Sequence, residues 1–469
     1  MSPRDYLTRL AGLAAGTRFD RLTAATVVAA RAVTLDTLGA ILAGRRLPEN
    51  ARLADLAAER SAIRAATLVG HPGKAEPMLA ALANGTAGVA LEMDEGNRWG
   101  GGHPAIHVLP ATLAVAEELA VDGRRFIEAL VAGYEVTSRL GGASQVRPNV
   151  HSHGTWGTAG AAVAVARLRG HDASAIRTVI NLATSMSPAN SWLPCFEGAT
   201  IRNLYPGRSN MQAILATHLL ACGYTAVDDA PSDLYGTILG ERFDPESVVD
   251  GVAADDRVAV YRIERNYFKF HACCLYNHPV LDAVHALVHA EGFSAHDVQR
   301  IRVTSLPFVT RMADPSPANM LAAKFSVPYA VAAALVKGTT DVSAFQDEVR
   351  DDARVRELAT RVEVAADDTM SLRGAPDRPT ARVSVVPVAG QKLTRETAVV
   401  HGDAANPRPR HELEAKFRAL ASGALDAARA NEIVEMVARL EHLPDIRGLT
   451  ALLTTGTRSG DGTANASGA

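Results

Sequence analysis

Ala90-Leu-Glu-Met-Asp-Glu-Gly-Asn-Arg-Trp-Gly-Gly-Gly-His103-Pro-Ala-Ile-His107 decides how this chain is read. It joins two alanine- and leucine-rich segments, Glu76 to Glu92 and Leu109 to Val121, whose composition and spacing predict helices. Glu92, Asp94 and Glu95 fall within four positions, three consecutive glycines follow, and His103-Pro104 leads into the second helix. Acids and an imidazole joined by a glycine hinge, on a loop held by rigid helices, suit acid–base chemistry. A helix end with solvated acids and an ordinary turn is the bland alternative, and these residues alone weigh the two equally. His103 and His107 are spaced like a metal pair, but Pro104 argues against one helix through both, so no metal is expected.

Outward from this stretch, the N-terminal part reads as helical. Leu22 to Gly44 carries Val27, Val28, Leu35, Leu38, Ile41 and Leu42 at three- and four-residue spacing, with Gly44 as its stop. Asn50 is placed as the cap of a helix to Arg60, and Ala66 to Gly70 as a short strand-like run. Arg125–Leu140, Thr158–Leu168, Ala175–Met186 and Ser209–Cys222 continue the series. Near 255 the pattern changes. Arg257–Ile263, Arg300–Leu306, Arg361–Val364 and Arg382–Val388 alternate as strands among the helices Asn277–Ala290, Ala322–Lys337 and Ala353–Arg361. Helices return over His411–Ser422 and Ala424–Leu440. The expected fold is mainly α: a large all-helical domain over 1–265, a smaller α+β domain over 266–395, and C-terminal helices over 396–457 that rejoin the first. Residues 458–469, rich in Gly, Ser, Thr and Asn, read as a disordered tail.

Composition bounds the function. The 469 residues are 47% hydrophobic and only 5% aromatic, which favours close-packed helices. A net charge of −3 with mixed signs argues against a nucleic-acid partner and leaves small anions open. The four cysteines form no C-x-x-C pair, no apolar leader is visible, and the alanine-rich runs are broken by charge. A cytoplasmic protein without a membrane span is expected. Gly70-His-Pro-Gly-Lys74 lacks phosphate-loop spacing, so no nucleotide cofactor is implied.

Four further stretches are candidates. His151-Ser-His153-Gly-Thr-Trp-Gly precedes a small-residue helix, where free N–H groups suit a carboxylate; capping by Ser152 or Thr155 is the alternative. Arg202-Asn-Leu-Tyr-Pro-Gly-Arg208 places two guanidiniums at a helix start. Asn266 to His278 packs Lys269, His271 and His278 among aromatics, with Cys273 and Cys274 more fitting as buried small hydrophobes than as nucleophiles. Ala323-Lys324-Phe-Ser-Val-Pro-Tyr329 heads another helix.

Together these stretches resemble the MmgE/PrpD family, in that family's order and over roughly residues 5–455. The family includes 2-methylcitrate dehydratase, cis-aconitate decarboxylase and an iminodisuccinate epimerase. The resemblance implies a homodimer with a helical domain and a smaller α+β lid, an active site between them, and no metal or organic cofactor. It matches Asp94, His103, His151, Lys269, His278 and Tyr329 to family positions. Glu92 stands where an aspartate is usual, Gly96-Asn97 where decarboxylase-like members have a threonine-containing pair, Arg202 for a lysine and Tyr205 for a histidine. The implied reaction is a cofactor-independent lyase of a small di- or tricarboxylate, dehydration first. Epimerisation or decarboxylation is the alternative, and a non-catalytic carboxylate-binding protein the most remote reading. The implied roles are His103 as base or acid, Asp94 orienting or tuning it, Tyr329 as partner acid on the opposite side, and Lys269, with Arg202 and His151, binding carboxylates. His151, Arg202, His278, Glu92 and Asn97 would surround the substrate, and Glu95 is left as a helix-end charge.

Overall fold

A computed structural model describes residues 5–371 and 380–455; the expected tail lies outside them. The fold is mainly α. Helices Asp5–Gly16, Ala24–Arg45, Pro48–Arg60, Pro77–Val89, Pro104–Glu118, Gly123–Ala143, Trp156–Leu168, Ala173–Ser185 and Leu204–Ala221 make the N-terminal part. Several helices begin where an aspartate accepts an N–H of the first turn: Asp122 from Arg125, Asp172 from Ala175 and, at the C-terminal helix Ala427–Ala438, Asp426 from Arg429. Small side chains bring helices close. A Cβ at Gly44 would fall on the Ala87 carbonyl oxygen, so this glycine serves close helix contact, and the Ala24–Arg45 helix ends one residue beyond it. Asn50 is no N-cap: it donates to the Gly44 carbonyl at 2.8 Å and closes the preceding helix instead.

Buried apolar residues gather in two large clusters. One draws on Tyr6 through Ile263 and returns with Phe417 through Leu453. The C-terminal helix Arg410–Ala421 lies on Ala24–Arg45, with Phe417 over Gly39. The other cluster is built mainly from residues 272–385, with Leu91, Met93 and Cys195 joining it. Its sheet has the order Val362–Ala366, Val298–Ser305, Ala381–Pro387, Leu393–Thr397, the first pair parallel and the others antiparallel. Ile301 and Val303 face the core from the central strand, opposite Val385 and Val383. Ala24–Arg45 is the one helix among the described residues long and apolar enough to cross a membrane, and it is largely buried in the first cluster.

The expected strand Arg257–Ile263 does not form. Its alternation finds no partner beyond a single bridge, Val252 to Val258, and Arg262–Arg265 turn into a 3-10 helix. The expected helix Ala322–Lys337 is interrupted. Met320–Ala323 ends early, and a new helix, Val327–Lys337, starts where Ser326 Oγ accepts the Tyr329 N–H and Pro328 sits in the first turn. The edge strand Leu393–Thr397 and the helices Asp5–Gly16 and Arg447–Leu452 extend the sequence reading.

Candidate active site

The opening stretch is a buried, cross-braced loop. The Pro77–Val89 helix ends at Ala90, and Glu92 takes a left-handed backbone with φ 53°. That conformation is costly for a side chain bearing a Cβ. Here it turns the carboxylate inward, between Arg202 at 2.5 Å and the Lys269 ammonium at 2.9 Å. Gly96 pairs with Tyr267 through both backbone groups, at 3.0 and 2.8 Å. Arg98 is bound to Asp403 at 2.7 Å. Lys416 reaches in from the Arg410–Ala421 helix to Asp36 at 2.5 Å and the Met93 carbonyl at 2.8 Å. Elements remote in sequence thus fix the loop.

His103 is the N-cap residue of the Pro104–Glu118 helix. Pro110 inside that helix removes an N–H and frees the Ile106 carbonyl; Asn210 repairs the gap by donating to it at 2.9 Å and accepting from the Ala111 N–H at 2.8 Å. The first turn is therefore rigid. His103 Nδ1 lies 2.7 Å from the Glu95 carbonyl and 3.1 Å from the Asp94 carboxylate. A carbonyl only accepts, so Nδ1 carries a proton and Nε2 of the neutral ring is a free lone pair. Asp94 also contacts Lys269 at 3.2 Å. Burial pushes the carboxyls of Glu92 and Asp94 upward, but the cations outweigh it: Arg202 and Lys269 hold Glu92, and Lys269 and His103 hold Asp94, below the usual carboxylate range. Burial works against Lys269 and Arg202 too, and their carboxylate partners more than restore the charge.

A cavity of about 280 Å³ opens on this network. Glu92, His103, His151, His153, Arg202, Tyr267, Trp192 and Cys274 line it, together with Tyr276, Phe308 and Phe325. His151 is clamped. Its ring lies on Trp192 with centroids 3.8 Å apart, and its Nδ1 accepts the His153 N–H at 3.0 Å. Neutral His151 therefore presents Nε2–H as a donor, and that atom has no protein partner. His107 supports the wall from behind, donating from Nδ1 to the His103 carbonyl and accepting the Gly154 N–H at Nε2, at 2.7 and 2.8 Å. Burial brings His107 down to about 4, and burial followed by the Arg202 charge holds His151 and His153 well below the ordinary imidazole value. Burial pushes the Cys274 thiol up to about 12, so it lines the wall as a thiol.

The structure brings together Glu92, Asp94, His103, Lys269, His151 and Arg202. Asn97 lies at the edge of the cavity with its amide engaged: it donates to the Arg262 carbonyl and accepts from the N–H groups of Trp99 and Gly100. It shapes the glycine turn. Two expected site residues lie elsewhere. Tyr329 is buried in the second cluster, donating to the Ala344 carbonyl at 2.7 Å. His278 is buried against His271, 3.2 Å from the Cys273 carbonyl. Neither lines the cavity. His278 shares its stretch with Lys269 and Cys274, and Tyr329 shares its stretch with Phe325, which is how packing residues come to sit beside site residues in sequence.

Two residues to which the sequence reading gave no role in the site lie in it or directly behind it. Glu95 is no solvated helix end: it is fully buried, accepts the Tyr134 hydroxyl at 2.6 Å and the Ala105 N–H at 3.3 Å, and burial pushes it up to about 8 despite both donors. His153 lines the cavity, and the doubled histidine at 151 and 153 was its only signal. Asp94, His103 and His153 each offer a ligand atom within 4.8 Å of the others. Such a set could hold a metal, but the ammonium 3.2 Å from Asp94 and the guanidinium that lines the same cavity oppose a dication.

Residues 8–238 match the MmgE/PrpD N-terminal domain and residues 271–442 the MmgE/PrpD C-terminal domain. The chain is similar to cis-aconitate decarboxylase of Homo sapiens, 27% identical over 96% of this chain and 94% of that protein. It is similar also to cis-aconitate decarboxylase of Aspergillus terreus, 24% identical over 92% of each chain. With both domains matched over most of its length, this chain belongs to the MmgE/PrpD family.

Proposed function

We propose that this protein is a cofactor-independent lyase of a small di- or tricarboxylate, with His103 Nε2 moving the proton at a carbon next to a carboxylate. The observation that carries this reading is the orientation of His103. Its Nδ1 is held by the Glu95 carbonyl and the Asp94 carboxylate, and its other nitrogen faces a cavity with a guanidinium and two more imidazoles. A proton beside a carboxylate is weakly acidic. Its removal needs a base near neutrality and positive charge to receive the developing dianion. Asp94 at 3.1 Å helps to orient the His103 ring. Arg202 is a permanent cation: it binds a carboxylate and exchanges no proton.

Decarboxylation is the favoured form, because the relatives above are cis-aconitate decarboxylases; dehydration, which the sequence alone put first, follows. In decarboxylation of an unsaturated acid, the bond to one carboxylate breaks and CO2 leaves. The electron pair shifts through the double bond, and His103 imidazolium delivers a proton to the carbon that receives it. In dehydration, neutral His103 takes the α-proton, the C–H pair forms the double bond, and hydroxide leaves with a proton from the solvent. The unit formed by residues 266–395 would close the cavity, and a cytoplasmic homodimer is the assembly expected.

The test is a panel of cis-aconitate, 2-methylcitrate, citrate and iminodisuccinate followed by proton NMR in deuterated buffer. CO2 release, a new vinyl signal, or exchange without elimination separate decarboxylase, dehydratase and epimerase. Failure to convert any member would overturn the lyase reading.

A further inference from the structure

We propose that His153 is a substrate-contacting residue, pairing with His151 as a carboxylate clamp that takes up a proton from solvent when the anion binds. This rests on the reading that the cavity receives carboxylates. His153 is fully buried, yet neither of its ring nitrogens has a partner. Leaving a buried imidazole unsatisfied is costly, and a ligand in the cavity would satisfy it. The backbone is nonetheless held in place. The backbone N–H of His153 donates to His151 Nδ1, its carbonyl accepts from Asn190 at 2.5 Å, and Asn190 is gripped by Arg208. The backbone is fixed, while the imidazole, which lines the cavity, has no partner of its own.

His153 is also the centre of an imidazole cluster. Its ring centroid lies 4.6 Å from His103, 4.7 Å from His151 and 5.0 Å from His107. His151 lines the same cavity and carries Nε2–H without a protein acceptor. Two adjacent nitrogens seeking partners match the two oxygens of one carboxylate. The charged and titratable groups around His153 are His107 and His103 on and before the Pro104–Glu118 helix, His151 on its own loop, and Arg202 and Glu92 of the cavity lining, with Asp94 and Lys269 bound to them. Arg202 is engaged by Glu92, and burial and the Arg202 charge disfavour the charged forms of His151 and His153. An incoming carboxylate reverses that balance, so one imidazole gains a proton and the hydrogen bond becomes charge-assisted. The site therefore binds the acid more tightly as pH falls toward 6.

The probe is propane-1,2,3-tricarboxylate, a saturated analogue that can neither dehydrate nor decarboxylate. Calorimetric titration near pH 7.5 in phosphate and in Tris gives the protons exchanged from the dependence of heat on buffer ionisation. Wild-type protein is expected to take up about one proton, and His153→Asn to bind about tenfold more weakly with the uptake lost or halved. Nitrogen-15 NMR of the histidines in wild-type protein needs no variant and should show one imidazole becoming doubly protonated as the probe is added. Unchanged affinity and uptake in His153→Asn, or histidine nitrogens that do not respond, would overturn the proposal while leaving the lyase reading intact. If no carboxylate binds wild-type protein, both fail together.

Discussion

Replacing Lys269 with Met tests whether the acid loop is held together by charge. The ammonium lies 2.9 Å from Glu92 and 3.2 Å from Asp94, and all three groups are buried. At an effective dielectric near 20, each contact is worth roughly 5 kcal/mol before desolvation is subtracted. Desolvating the ammonium offsets much of this, and breaking one side of a buried pair typically costs about 3–5 kcal/mol net. Arg202 still neutralises Glu92 in the variant, so Asp94 is the carboxylate left exposed to burial. In wild-type protein Asp94 is held below the usual range, so its contribution is present above the unfolded value and lost as pH falls through the folded one. In the variant burial dominates and lifts Asp94 above its unfolded value; that penalty is absent in acid and grows as pH rises. The stability gap between the two proteins must therefore be larger at pH 8 than at pH 5. Urea unfolding followed by tryptophan fluorescence at both pH values measures it. A gap under about 1 kcal/mol at pH 8, or one equal at both pH values, would refute the reasoning.

Other outcomes follow from the same geometry. Glu95 is raised to about 8 in the folded state, so its contribution is full below the unfolded carboxyl value and lost as pH rises toward 8; relative to Glu95→Gln, wild-type protein should lose at most about 5 kcal/mol between pH 4.5 and 8.5. A pH-independent difference in chemical denaturation would contradict the buried neutral carboxyl. Gly96→Ala places a Cβ into the Tyr267 ring, whose partner loop carries Lys269, and turnover should fall by about two orders of magnitude; activity near wild type would mean that the loops separate freely. Tyr329→Phe removes one hydrogen bond to Ala344 and should cost about 1 kcal/mol in thermal unfolding, with turnover within about threefold of wild type. A loss of several hundredfold would return Tyr329 to the reaction.

The helices were legible because their determinants are local. Alanine-rich periodicity and aspartate caps place Gly123–Ala143 and Ala173–Ser185 within a few residues of the expected spans. The strand Leu393–Thr397 was not, because it is an edge strand whose residues are exposed or only half-buried, leaving no apolar alternation to read. Arg257–Ile263 shows the converse: alternation without a neighbour to pair with makes no strand. At the site, residue types on one loop were readable, and the pair Asp94 and His103 stands together as expected. Tyr329 and His278 share stretches with site residues, and only the fold shows that they point elsewhere. Glu95 illustrates a different limit. Its burial depends on Tyr134 and on the helix starting at Pro104, neither of which its own neighbours in sequence announce.

The central claim is that His103 Nε2 moves the proton next to a substrate carboxylate. Its most direct measurement is proton NMR of wild-type protein and His103→Gln with cis-aconitate and 2-methylcitrate in deuterated buffer. Wild-type protein is expected to convert one of them, with deuterium entering or hydrogen leaving at a single carbon, and His103→Gln to do so at least about a thousandfold more slowly while still binding the acid. Conversion by His103→Gln at the wild-type rate would contradict the account.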